Sequence, residues 1–416
     1  MPSTSKNKAS ARKWPKEGVT RVPFWVYSDP EVYTREMDVI FGGATYNYVG
    51  LECEIPNPGD FRRSFIGDKA VVYVRDQDGA VNVVVNRCAH RGTKFCYQEH
   101  GNVSEFTCPY HQWTYDLKGD LIGVPFRRGV KNRGGMPKDF KLEDHGLDTL
   151  KVAARGGVIF ASFDHSMPSF EDYLGPNMLS YFDRVFDGRG LKVLGYSRQR
   201  IRSNWKVKFE NLKDPYHASL LHVFLVSFGL FRADTPSKTQ MDSTGMHAVQ
   251  VAQRGEQKDT EGTSEMHAMQ ADLTLQNPEM LQPYPEWASK GDATVVMQTI
   301  WPNLIVQQQS NTIAMRQIRT FSPEEYELHW TFFGYEDDDE EMTLRRLRQA
   351  NLMGPAGYVS IDDSEVMESV QSGVSRFPDV AAVVEMGGRD TEDAPHMVTE
   401  VAIRAFYKHY RHVMGF

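Results

Sequence analysis

Cysteine is scarce in this chain of 416 residues, which has four: Cys53, Cys88, Cys96 and Cys108. That excludes a disulfide scaffold, and a Cys53–Cys96 bridge is not expected, because a leftover thiol pair in a reducing compartment stays free. Long apolar runs are missing as well: no stretch of about eighteen apolar residues offers a membrane span. The segment Met1–Gly18 is polar and Lys-rich, without the apolar core of a secretory signal. A cytoplasmic protein with a flexible leading segment to about Gly18 is expected. Positive charge is not in surplus, and a net charge of −8 argues against nucleic acid as the main partner, since phosphate binding needs a basic face. No G-x-G-x-x-G turn joins a strand to a helix, so the chain has no dinucleotide fingerprint of its own. Internal repeats and low-complexity tracts are absent too. What is present is ordinary globular composition, 40% hydrophobic and 25% charged, in a chain long enough for two domains or one large one.

Two of the four cysteines stand in a pattern with histidine. Cys88 and His90 are followed, seventeen residues on, by Cys108 and His111. Two thiolates and two imidazoles satisfy tetrahedral zinc, but zinc modules usually pair Cys with Cys and His with His on one short turn or helix. Here each loop holds one of each, which suits a [2Fe–2S] cluster with one iron bound by sulfur and the other by imidazole. The flanks Cys88-Ala89-His90-Arg91-Gly92 and Cys108-Pro109-Tyr110-His111-Gln112-Trp113 resemble the two cluster loops of the Rieske family. Glycine and proline there allow tight turns whose amides can face the cluster sulfurs.

The texture around this motif is β-rich. From about Thr45 to Phe163, apolar runs such as Ala70–Val74, Val81–Val85 and Gly157–Ala161 alternate with turn signals at Asp76–Gly79 and Asp116–Asp120. This reads as a small antiparallel β-domain with the cluster loops at one tip. Before it, the spacing of Val32, Met37, Ile40 and Phe41 predicts an amphipathic helix over Pro30–Phe41. After about Met167 strands alternate with longer helices, with strands predicted at Val295–Trp301 and Glu325–Tyr335. The acidic run Glu336–Glu341 before Leu344–Arg348 reads as a solvated helix start.

A second constellation lies in Glu210-Asn211-Leu212-Lys213-Asp214-Pro215-Tyr216-His217, followed by His222. Two histidines five apart miss the three-or-four spacing of one helix face, so a broken helix is implied if both serve one metal. Non-haem Fe(II) oxygenases hold iron with two histidines and one carboxylate, leaving the opposite positions open. The carboxylate has to come from elsewhere, and Gly354–Asp363 is similar to the segment that precedes the third iron ligand in Rieske ring-hydroxylating oxygenases. Matching position makes Asp363 the ligand, with Asp362 its rival. The competing structural role for either is helix N-cap, because a helix is predicted from Glu365.

Both signals resemble the large (α) subunit of Rieske non-haem iron oxygenases, over nearly the whole chain. Arg21–Trp25, Ile55–Phe61, Gly123–Val130 and Gly134–Phe140 are similar to the aromatic-acid branch of that family, salicylate hydroxylases first, with terephthalate and anthranilate dioxygenases near. The resemblance implies an α+β fold: a small antiparallel Rieske domain over 45–163, and a catalytic domain of helix-grip type, an antiparallel sheet packed by helices, from 1–44 and 164–416. It implies hydroxylation of an aromatic acid, salicylate to gentisate ahead of cis-dihydroxylation of anthranilate or terephthalate, with O2 and electrons drawn from NAD(P)H through ferredoxin and reductase. It also implies a small β-subunit in an α3β3 assembly. In such assemblies the cluster of one subunit serves the iron of the next, and Asp214 would bridge His217 to the neighbour's His111; the alternative for Asp214 is an N-cap before Pro215. Leu225, Phe228 and Met353 are candidate pocket walls, with core packing the competing role of each. Arg316, in a strand-like run, is a candidate for the substrate carboxylate, against a structural ion pair. His247, His267 and His329 show no metal spacing and are expected to pack or face solvent.

Overall fold

A computed structural model describes residues 12–228, 231–253, 273, 276 and 293–416, so His267 lies outside the described residues. Two compact units divide the chain, Phe41–Tyr173 in one and Met1–Ile40 with Leu174–Phe416 in the other.

The Phe41–Tyr173 unit is built from short antiparallel strands. Asp60–Ile66, Lys69–Arg75 and Val81–Val85 form a meander joined at its edge by His100–Asn102. The turn signals act as their chemistry requires: Asp76 Oδ1 accepts from the amides of Asp78 and Ala80, and Asp116 Oδ1 from those of Lys118 and Asp120, each at 2.9 Å. A second small sheet, Phe106–Thr107, Thr114–Tyr115 and Leu121–Gly123, frames the second Cys/His loop. Phe61, Phe95, Phe106 and Tyr115 pack beneath both loops with Val72, Val74 and Val84.

The other unit is organised by a seven-stranded sheet: β1 (Leu191–Ile201), β2 (Ser237–Met241), β3 (Ala248–Gln253), β4 (Ala293–Ile300), β5 (Leu304–Gln309), β6 (Thr312–Ser322) and β7 (Glu325–Tyr335). Their order across the sheet is β1-β7-β6-β5-β4-β3-β2, and every neighbouring pair is antiparallel. Helices α1 (Pro30–Glu36), α2 (Trp205–Asn211), α3 (Ala218–Leu221), α4 (Val223–Ser227), α5 (Glu340–Met353), α6 (Tyr358–Val374) and α7 (Val401–Met414) belong to the same unit. A buried knot fixes α2 against α1 and α7: Glu36 Oε1 meets Lys206 Nζ at 2.7 Å and accepts from Tyr410 OH at 2.6 Å, while Oε2 accepts from Trp205 Nε1 at 2.8 Å. Removing one partner of such a pair costs about 3–5 kcal/mol, so α2 has little freedom to shift.

Two expectations need correction here. The chain is anchored well before Gly18, because Trp14 is buried against Trp25, Tyr407 and Phe416 and its indole N–H donates to Gly18 O at 2.8 Å. Nor do Asp362 and Asp363 cap a helix: α6 begins at Tyr358 with Gly357 at its N-cap, which puts both aspartates a full turn inside. Gly357 is required at that junction, since a Cβ would stand 1.9 Å from Leu352 O. The acidic helix start is as expected, with Asp339 accepting from the Met342 amide at 2.7 Å. All four cysteines are free thiols. Among the described residues no helix is long and apolar enough to cross a membrane.

Candidate metal centres and substrate cavity

The two Cys/His loops are near copies of one turn. Cys88 N donates to Thr93 O and Gly92 N back to Cys88 O; Cys108 N donates to Trp113 O and Gln112 N back to Cys108 O, all at 2.8–2.9 Å. The fifth residue of each turn is left-handed, Gly92 at φ 73° and Gln112 at φ 58°. The result is that the two thiols are packed into one buried cluster, and the His90 and His111 rings meet edge to face with their centroids 4.6 Å apart. His90 is stacked on Trp113 at 4.7 Å, and its buried Nδ1 has no hydrogen-bond partner, as suits a nitrogen that ligates a metal. Tyr115 OH lies 3.1 Å from Cys88 Sγ and accepts from the Ala89 amide. Paired sulfurs, paired imidazoles and an orphaned ring nitrogen fit a two-iron cluster gripped from one end.

The second centre is made by a helix that breaks twice. α2 starts at Asn204, whose side chain accepts from the Lys206 amide, and runs to Asn211. Asp214 Oδ1 then accepts from the amides of Tyr216 at 2.9 Å and His217 at 3.3 Å, turning the chain into α3. His222, at φ −87° and ψ 64°, separates α3 from α4. These breaks bring two histidines five apart to one point, where α6 delivers Asp363. The candidate ligand atoms of His217, His222 and Asp363 all lie within 4.8 Å of one another, and both His Nε2 atoms stand 3.4 Å from Asp363 Oδ1. Asp363 is 7% exposed and faces both histidines, whereas Asp362 is 31% exposed and lies behind the cluster, 3.3 Å from His222 Nδ1. Asp214 takes the same position behind His217, its Oδ2 3.4 Å from Nδ1. Each imidazole thus has a carboxylate beside its outer nitrogen, and at His222 the two are hydrogen-bonded, the arrangement that fixes a ligand's tautomer and raises its basicity.

Electrostatics draw a cation to this point. Burial depresses the His217 pKa, but the Asp214 and Asp363 carboxylates outweigh it and raise it to about 10. Burial opposes ionisation of Asp363, yet Lys208, His217 and His222 hold it well below the usual carboxylate range. Lys208 and Asn211, one turn apart on α2, are contributors that motif spacing did not single out. Asn211 Nδ2 donates to Asp363 Oδ1 at 3.0 Å, and Lys208 Nζ donates to Asn211 Oδ1 at 2.8 Å and lies 3.4 Å from Asp363 Oδ2. Their i, i+3 spacing was the available signal, but it names no target without α6. Burial lowers the Lys208 pKa to about 8, with Asp363 resisting.

A cavity of about 400 Å³ opens on the triad. Leu225, Met353 and Arg316 line it, as do Leu212, Val295 and Met297; Phe228 is not among its walls and instead closes α4, its amide donating to Phe224 O. Arg316 is 3% exposed, donates from Nη2 to Gln307 Oε1, lies over the Trp330 ring at 4.1 Å and leaves a buried Nε without a partner. Burial pushes its pKa down to about 9, against the pull of Asp363. A buried guanidinium with an unpartnered donor, on a side chain that lines the cavity, is suited to a ligand carboxylate. His247 is fully buried and its Nδ1 accepts from the Trp301 amide, while His329 lies against Glu327, so both serve packing and pairing.

Comparison with known proteins adds to this geometry. Residues 45–133 match the Rieske [2Fe-2S] domain, and residues 188–415 match the ring hydroxylating alpha subunit (catalytic domain). The chain is 54% identical to the salicylate 5-hydroxylase large oxygenase component of Ralstonia sp., over 97% of this chain and 96% of that protein. It is 42% identical to the anthranilate 1,2-dioxygenase large subunit of Burkholderia cepacia, over 99% and 97%. Among solved structures it is similar to naphthalene 1,2-dioxygenase from Rhodococcus sp. bound to indole, with a TM-score of 0.79 and 25% identity over 95% of this chain and 94% of that one.

Proposed function

The chain belongs to the ring-hydroxylating oxygenase α-subunit family, and from that premise we propose that it hydroxylates an aromatic carboxylic acid, salicylate to gentisate first. It is the large subunit of a Rieske non-haem iron oxygenase, with a [2Fe–2S] cluster and a mononuclear iron as its cofactors. The observation that carries the substrate reading is Arg316, a buried cation with an unpartnered Nε on a side chain that lines the cavity the triad faces. The 54% identity to a salicylate 5-hydroxylase component supports the same choice.

In this reading Cys88, His90, Cys108 and His111 hold the cluster, and His217, His222 and Asp363 hold the iron. When bound, the iron supplies oxygen activation and the cluster supplies the electrons, which reach it from NAD(P)H through a reductase and ferredoxin. The protein's own work is positioning. Asp362 bonds the outer nitrogen of His222 and Asp214 stands beside that of His217, so that Nε2 of each faces the metal. Lys208 takes up Asp363 Oδ2 and leaves Oδ1 toward both imidazoles. Arg316 anchors the acid, and Leu225 and Met353 exclude water from the ring. Asp214, 22% exposed, keeps an edge for His111 of a neighbouring subunit and so couples the neighbour's cluster to this iron site. Exposed apolar side chains on α6, Tyr358 at 66% and Ile361 at 45%, support a protein partner there, for which a small β-subunit in an α3β3 assembly is the proposal. The proposed location is the cytoplasm.

The test is turnover of purified protein, reconstituted with iron, ferredoxin and reductase, on salicylate, anthranilate, terephthalate and benzoate. Gentisate from salicylate, faster than any product from the others, is expected. A cis-diol or catechol from anthranilate or terephthalate as the best product would move the enzyme to the dioxygenases, the second reading that the 42% identity to anthranilate dioxygenase supports. No product from any acid, with both metals in place, overturns the aromatic-acid assignment.

A further inference from the structure

We propose that strands β2 and β3 carry a second polar subsite of this cavity, where Ser237 and Gln250 recognise an uncharged, hydroxyl-type substituent on the ring of an aromatic monocarboxylate. The proposal rests on the aromatic-acid reading and adds what distinguishes one such acid from another.

Ser237 and Gln250 both line the cavity, and Ser237 Oγ and Gln250 Nε2 are buried atoms with no hydrogen-bond partner. Native proteins rarely leave such groups orphaned, and two on one wall call for a shared cause. The strand register makes them neighbours. Thr239 pairs with Gln250 and Ser237 with Ala252, so Ser237 and Gln250 are diagonal partners on one face of adjacent strands. Gln250 pairs in turn with Met297, and Ala252 with Val295, and both of those apolar residues line the cavity. Arg316 stands on β6, with β4 and β5 between it and Gln250. The cavity therefore has two polar poles with Val295 and Met297 of β4 and Gln309 of β5 between them, which suits a ring that carries polar groups at more than one position.

Charge separates the two poles. Arg316 is a guanidinium, whereas the β2–β3 pole offers an amide and a hydroxyl. Lys238 borders the cavity, but its ammonium lies over the Tyr181 ring, 5.5 Å from the centroid. A second carboxylate at this pole would be desolvated without a cation to meet it, so a dicarboxylate is disfavoured and a hydroxyl suits it. A site built to bond a substrate hydroxyl discriminates strongly against the analogue that lacks it.

The experiment is calorimetric titration of the assembled, metal-loaded protein with benzoate, the three hydroxybenzoate isomers and terephthalate, supported by kcat/KM for each. Wild type is expected to bind at least one hydroxybenzoate about tenfold more tightly than benzoate, with terephthalate weakest. Gln250→Met, close in shape and unable to donate, is expected to weaken that isomer about tenfold and leave benzoate within about twofold. Ser237→Ala should act in the same direction with a smaller effect, and it guards against a folding defect in the first variant. If both variants leave the ratio of hydroxybenzoate to benzoate unchanged, or weaken the two acids alike, the subsite is wrong while the aromatic-acid reading stands. If wild type binds and converts none of the acids, the aromatic-acid reading falls, and the subsite with it.

Discussion

Replacing Arg316 with leucine separates function from stability, because the two should move in opposite directions. Burial lowers the guanidinium pKa from its ordinary value to about 9, which makes the charged form unfavourable in the folded state by on the order of 5 kcal/mol. The sign follows from linkage: the folded pKa lies below the unfolded one, so the cost is fully present below pH 9 and fades only as the group loses its proton at higher pH. Leucine removes that cost but orphans Gln307 Oε1, the acceptor of the Arg316 Nη2 bond, at about 1–3 kcal/mol. It also forfeits the contact with Trp330, worth about 1 kcal/mol. A net gain of about 1–3 kcal/mol remains, a rise of a few degrees in Tm. Catalysis should move the other way. Losing a charge-assisted bond to the substrate carboxylate costs about 1.5–3 kcal/mol, or roughly 10- to 150-fold in kcat/KM on an aromatic acid. An uncharged analogue such as the corresponding amide should lose little. Differential scanning fluorimetry and steady-state turnover on the matched acid and amide read both quantities. A lower Tm together with equal losses on acid and amide would refute the reasoning, since it would make Arg316 a structural residue.

Further outcomes follow from neighbouring observations. Tyr115→Phe removes the hydroxyl 3.1 Å from Cys88 Sγ; losing a bond worth about 1 kcal/mol to the reduced cluster lowers its potential by about 40 mV, which protein-film voltammetry would detect and an unchanged potential would disprove. Asp214→Asn should retain iron and cluster yet slow coupled turnover by at least about 100-fold, with the defect in electron delivery; near-normal product formation removes the bridging role. Glu210 is held between Tyr27 OH and Tyr407 OH, and burial raises its pKa to about 7 against the pull of those bonds. Because this folded pKa exceeds the unfolded value of 4.5, the stability it confers is complete below about pH 4.5 and is lost as pH rises through 7. Glu210→Gln should therefore raise Tm at pH 8, by the equivalent of about 2 kcal/mol after solvent screening at its partly exposed edge, and not at pH 4.5; a pH-independent change would contradict it.

Local chemistry made much of this molecule legible in one dimension. Cys88, His90, Cys108 and His111 sit in turns short enough that identity and spacing alone set what each loop presents, and the Asx turns at Asp76 and Asp116 are where their sequences put them. The five-residue gap from His217 to His222 implied a broken helix, and His222 itself is the break. What stayed hidden depends on contacts across long sequence separations. Lys208 and Asn211 matter only because α6 brings Asp363 to them across more than 150 positions. Adjacent Asp362 and Asp363 differ in role only once α6 turns one toward the histidines and the other behind them. Trp14 is anchored by Phe416 and Tyr407 at the far end of the chain, which no local polarity signal reports. Phe228 has the composition of a pocket wall, but the turn that ends α4 directs it elsewhere.

The central claim is that this oxygenase adds oxygen to an aromatic acid held by Arg316 beside His217, His222 and Asp363. Turnover of salicylate under ¹⁸O₂, with ferredoxin, reductase and NADH, and mass spectrometry of the product, tests it most directly. One labelled oxygen in gentisate is the predicted result. Two labelled oxygens in a diol or catechol, or oxygen consumption that leaves salicylate unchanged while both metals are present, would contradict it.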